Sequence, residues 1–154
     1  MSEKVIEYND KGLKNFIAAF KGKIPTARVG ILGGKTLRKS EGPTNAEIGL
    51  KHEFGKAGMP VRSFLRVPII EHLQQYLDQS GAFNQDALEK VIAEKSIKNW
   101  MSKIALVAEK VVLEGFQTGG FGKWKPSLMA HKKVKMTLVE TQQLRNSITS
   151  DVKE

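Results

Sequence analysis

NQDALEKVIAEKSIKNWMSKIALVAEKVVLEGF, residues 84–116, holds the longest apolar pattern in the chain. Leu88, Val91 and Ile92 open it. Ile97, Trp100, Met101, Ile104, Ala108, Val111 and Val112 continue it. Steps of three and four put these residues on one side of a helix. The spacing predicts a long helical region with a bend near Ser96, and one helix with a buried stripe over 97–113. This is the main helix of the domain, and the rest of the fold must be built against it.

On its C-terminal side, QTGGFGKWKPS is too rich in glycine to be anything but loop. ETQQLRNSI reads as one or two helical turns, and SITSDV as a closing strand. On its N-terminal side, Leu65, Ile69, Leu73 and Leu77 step by four, with Ile70 and Tyr76 beside them. They predict a helix that begins at Ser63 or Val67 and stops at Ser80-Gly81. MPVRSFLRVP before it reads as extended, pinned by Pro60. AEIGLKHEFG is a short helix with Ile48, Leu50 and Phe54 on its apolar side, and Thr44 with Glu47 fits a capping box. ARVGILGG alternates as a strand does. Leu13, Phe16, Ile17 and Phe20 predict a first helix behind Asn9-Asp10, closed by Gly22 and blocked by Pro25. Val5 and Ile6 begin a short extended stretch. The expected fold is α+β, one domain over 1–154: a small, mostly antiparallel sheet packed against one long helix, with additional short helices.

Composition narrows the function. The chain has 154 residues and no cysteine, which removes disulfides, thiolate metal sites and cysteine nucleophiles together. No apolar run approaches the ~20 residues of a membrane span. The first sixteen residues carry Glu3, Glu7 and Asp10 and no apolar segment, unlike a signal peptide. A soluble intracellular protein with no membrane partner is expected. The net charge is +9, unevenly placed: eight cations and no acid lie between Asp10 and Glu41. Lys123, Lys125, Lys132, Lys133 and Lys135 form a second basic segment. Such segments are solvated faces, or they meet nucleic acid or an acidic protein surface.

Motifs for chemistry come close and fail. GILGGKT resembles a phosphate loop, but the pattern requires glycine five residues before Gly34, where Val29 stands. His52-Glu53 lacks the second histidine that zinc binding needs one turn later, because position 56 is Lys. His52, His72 and His131 have no ligand spacing, and there is no Gly-x-Ser-x-Gly elbow. No enzyme activity, metal or cofactor is expected. Trp124, between Lys123 and Lys125, can stack on a base or anchor its loop to the core; anchoring is the commoner use.

Three segments in order resemble a known group. VGIL is followed by TNAEIGLKHEFG. MPVRSFLR then runs straight into a helix. After the long helix come Trp124, Pro126 and Leu128, and then LVETQQLRNSI. This order resembles the phage virion-morphogenesis families, the tail-completion and neck proteins of tailed bacteriophages and Mu-like prophages. The resemblance covers roughly residues 26–72 and 121–152. Asn45, Ala46, Ile48, His52, Glu53, Phe54 and Gly55 fit the family pattern. So do Pro60, Arg62, Phe64, Leu65 and Arg66, and Thr141, Leu144, Arg145, Asn146, Ser147 and Ile148. Ser63 stands where proline is usual, Glu140 where aspartate is, and Gln142 where glycine is.

The resemblance implies a structural virion protein that acts in tail completion or head–tail joining. It implies a homo-oligomeric ring, with sixfold symmetry suggested, and neck, tail-tube or connector proteins as neighbours. It places the chain in the virion, and in the host cytoplasm during assembly. Non-specific contact with DNA is possible for the basic segments, and a basic nucleic-acid-binding module is the alternative reading. Arg62 and Arg66 flank an apolar Phe64-Leu65 pair that can serve a subunit contact or simply the chain's own core. The candidate assembly interface comprises Arg62, Phe64, Leu65, Arg66, Trp124, Lys132, Lys133 and Lys135.

Overall fold

The computed structural model describes residues 10–33, 42–56, 60–124 and 142–153. Eight elements follow in order: α1 (Lys11–Ala19), β1 (Thr26–Ile31), α2 (Asn45–Phe54), α3 (Arg66–Ser80), α4 (Gln85–Glu94), α5 (Lys98–Gln117), α6 (Gln143–Asn146) and β2 (Ile148–Lys153). The α+β expectation holds. The two described strands pair antiparallel, with Thr26 opposite Lys153 and Ile31 opposite Ile148. The stretches 1–9, 34–41 and 125–141 lie outside the described residues, and with them Val5-Ile6, most of the 35–45 loop, and Lys132, Lys133 and Lys135.

The sheet packs on α5, and α3 packs along the same helix. Val112 and Phe116 of α5 are wholly buried with Phe64, Leu144 and Ile148. Val29, Ile31, Ile48 and Ile69 close around them. Phe64 and Phe116 meet ring to ring at 5.1 Å. Burying aromatic and branched side chains supplies most of the driving force for such a core. A smaller cluster of Ala19, Val91 and Ile97, with Trp100 and Met101 beside it, joins α1, α4 and the start of α5.

Three expectations need correction. The region 84–116 is two helices: α4 ends at Lys95, a left-handed residue at φ 49°, and α5 starts after Ile97. The apolar pattern continues across the break, so periodicity alone does not mark it. The segment 60–65 belongs to no strand; a side chain of α2 holds it instead. On α2 itself, Leu50 and Phe54 do not face the core. They are 61% and 59% exposed, and the buried positions are Asn45, Gly49 and Glu53.

Gly49 explains that rotation. A Cβ there would lie 2.9 Å from Ile31 Cδ1 and 3.2 Å from Phe64 Cζ, so α2 meets the core through backbone and not through its large side chains.

Candidate functional site

The site grows from both ends of α2. At its start, Thr44 and Glu47 form the expected capping box: the Thr44 hydroxyl accepts from Glu47 N–H at 3.2 Å, and the Glu47 carboxylate accepts from Thr44 N–H at 2.8 Å. The Thr44 N–H, and next the Thr44 hydroxyl, which also donates to this carboxylate at 3.2 Å, hold the Glu47 carboxyl below its ordinary pKa. At its end, Gly55 turns away at φ 78°, and Glu53 points inward.

The Glu53 carboxylate is the polar centre of the site. It accepts from Ser63 Oγ at 2.5 Å, from Phe64 N and Leu65 N at 3.0 Å each, and from Arg66 N at 3.1 Å. Arg66 Nε stands 3.6 Å away. Helix α3 has no acidic residue in its first turn, so Glu53 supplies, from another helix, both the acceptor and the negative charge that a helix N-terminus favours. Ser63 Oγ, while donating to Glu53, accepts from Val67 N–H at 3.0 Å. Pro68 follows in the first turn, where its missing N–H costs nothing, and is wholly buried. The hydroxyl of Ser63 thus does capping work that proline at this position could not.

The eight candidate residues separate into groups. Phe64 is a core residue, and Arg62 is buried as well. Arg62 N–H donates to His52 O at 2.8 Å. Its Nε has no hydrogen-bond partner among the described residues, and burial lowers its pKa. Trp124 anchors its loop: the indole N–H donates to Ser63 O at 3.3 Å, and the ring meets Phe116 edge-on at 5.8 Å. Gly120 lies so close beneath the indole that a side chain there would collide with it. Leu65 and Arg66 reach the surface, and the Arg66 guanidinium lies over the Phe54 ring at 5.2 Å.

Leu65 and Arg66 border an apolar groove of about 280 Å³, whose other walls include Ile31, Leu50 and Phe54. Sequence reasoning named Leu65 and Arg66 as interface candidates. It missed Leu50 and Phe54 by assigning them to the core; the signal was Gly49, whose small size lets the helix turn these residues outward. Among the described residues no three His, Asp or Glu side chains gather as metal ligands, and no helix is long and apolar enough to cross a membrane.

The chain matches no protein-family model, no curated protein and no solved structure.

Proposed function

We propose that this chain is a structural assembly protein of a tailed phage or prophage, a ring or ring-associated subunit that completes the tail or joins it to the head. One observation carries the reading. The HEFG and PVRSFLR segments, which bear the resemblance to phage neck and tail-completion proteins, form a single unit through Glu53. That contact gives both segments a structural reason to exist without any catalytic role. Its outer side is the groove of Leu50, Phe54, Leu65 and Arg66, an apolar surface with an arginine at its mouth, of the kind that protein interfaces use.

The partners under this reading are further copies of the chain and the flanking neck, tail-tube or connector proteins. The protein works in the virion, after assembly in the host cytoplasm. The +9 charge supports a second reading, a nucleic-acid-binding module. Light scattering with and without DNA, across a salt series, separates the two. A ring keeps its mass as salt rises, because apolar burial holds it. Phosphate-driven binding falls steeply with salt. A chain that stays monomeric without DNA, and binds DNA in a salt-dependent manner, overturns the assembly reading.

A further inference from the structure

We infer that the guanidinium of Arg62 is the receptor of an oxyanion site, where a carboxylate or phosphate group that the described residues do not supply makes the ion pair this buried cation lacks. The site stands or falls apart from the assembly reading above.

Four arginines lie among the described residues, and three have acids beside them. Arg28 pairs with Asp151 across the sheet, Arg66 lies by Glu53 and over the Phe54 ring, and Arg145 lines a groove with the carboxylates of Glu109 and Glu114. Arg62 differs. It is the buried one, 6% exposed, and its Nε is sealed from solvent without a partner. Its guanidinium makes no ion pair among the described residues. Burial lowers its pKa, and no carboxylate offsets that. Glu53, the one buried carboxylate among the described residues, accepts from Ser63 Oγ and three backbone N–H groups instead.

A buried charge without a counter-charge is unfavourable, because nothing offsets its lost hydration. The surroundings relieve part of this. The Arg62 backbone N–H donates to His52 O at 2.8 Å, which sets the residue beside the C-terminal end of α2, where a cation is favoured. That end amounts to only about half a negative charge, and it leaves the Nε–H without an acceptor. The aliphatic stem packs, as arginine stems do, but a methionine would pack there without the charge. A water molecule satisfies an N–H group and leaves the charge unmatched. A carboxylate or phosphate does both, since its two oxygens meet the parallel N–H groups of the planar guanidinium. Val61, the preceding residue, is 56% exposed, so this segment runs at the surface, where an anion from outside the chain can arrive.

Arg62→Met keeps the stem and removes the charge. In chloride alone the full-length variant should melt at or above wild type, because no partner is lost. A clearly lower melting temperature would show that the chain itself satisfies Arg62, and overturns the site. Phosphate and acetate are then titrated separately at constant ionic strength. At a tenfold excess over its dissociation constant, the bound anion should raise the wild-type melting temperature by about 3–5 °C and leave Arg62→Met unmoved. Arg62→Lys, a point charge without the fork, should bind the same anion more weakly. The Arg62 Nε–H signal of wild type, followed by NMR, should shift over the same concentration range, a readout that needs no variant to fold. Tighter binding of phosphate assigns the site to a phosphorylated ligand, and tighter binding of acetate to the carboxylate of another chain; either result upholds it. No response to either anion, or an equal response in Arg62→Met, overturns the site and leaves the assembly reading standing.

Discussion

The cluster around Phe116 and the cluster around Val91 are built to different standards. The first draws on six elements and the Glu53 loop, seals Val112 and Phe116 completely, and secures its approach with four hydrogen bonds to one carboxylate. The second gathers Ala19, Val91 and Ile97, and leaves Leu13 and Ile17 of α1 exposed. The difference teaches where this chain stores stability. A helix whose one buried residue is an alanine contributes little to the stability of the fold and belongs to its low-stability end.

Phe116→Ala should show this contrast most strongly. Its ring touches Phe64 and Trp124, and losing it should cost about 3–5 kcal/mol in urea denaturation. Val91→Ala, in the thinner cluster, should cost roughly 1–2 kcal/mol, since fewer methyl groups leave and the site relaxes more easily. Equal losses would show that the two clusters form one cooperative core.

Glu53→Ala comes next. It leaves the Phe64, Leu65 and Arg66 N–H groups and the Ser63 hydroxyl without their common acceptor. Unsatisfied buried donors cost about 1–3 kcal/mol, more where the lost partner was charged, so a loss of about 3 kcal/mol is expected. Glu53→Gln, which keeps one carbonyl oxygen, should lose less. Hydrogen exchange should locate the damage in the first turn of α3. Protection there equal to that of wild type would show that Glu53 is not what holds this turn.

Sequence pattern made some of this legible for definite physical reasons. The Thr44–Glu47 box and the Ser80-Gly81 stop are local, so residues a few positions apart specify them. The stripe of α5 is legible because its period is that of the helix. Glu53 was not legible as the centre of the site, because a glutamate near a helix end ordinarily reads as solvated and its partners lie ten to thirteen residues on. Leu50 and Phe54 misled for the opposite reason: apolar residues on a short helix suggest the core unless a close backbone approach, here at Gly49, takes their place. The break falls at Lys95, beside Ser96 where the bend was expected; with neither glycine nor proline there, its depth as a full stop was not legible.

Thr44→Ala should act more mildly, because it affects a solvent-facing helix start and not a sealed site. Loss of an N-cap hydroxyl costs about 1 kcal/mol. The variant also carries a pH signature. Glu47 is held below its ordinary pKa chiefly by the Thr44 backbone N–H, and next by the Thr44 hydroxyl. A carboxyl depressed in the folded state stabilises the fold above its unfolded pKa, and that contribution is lost as pH falls toward the folded value. Asp151, held down by Arg28 across the sheet, behaves in the same way. Melting temperature should therefore drop as acid is added through the carboxylate range, less steeply in Thr44→Ala than in wild type. Parallel acid limbs for the two proteins would show that the hydroxyl has no part in the Glu47 shift.

The smallest expected effect has the opposite sign. Gln142 starts α6 at φ 52° and ψ −1°, the left-handed conformation that glycine adopts most readily. An L side chain pays about 1–2 kcal/mol to sit there. Glycine pays nothing for that conformation but loses roughly 0.5–1 kcal/mol in unfolded-state freedom. Gln142→Gly should therefore stabilise the chain by about 0.5 kcal/mol. The position matters because Gln142 starts α6, which puts Leu144 into the Phe116 cluster and passes directly into β2. The gain should therefore appear in the global unfolding transition and not as a local change. A companion Gln142→Ala separates the two effects, since alanine keeps the Cβ that opposes the left-handed turn and should be neutral or worse. If glycine and alanine shift the urea midpoint alike, backbone conformation is not what limits this turn.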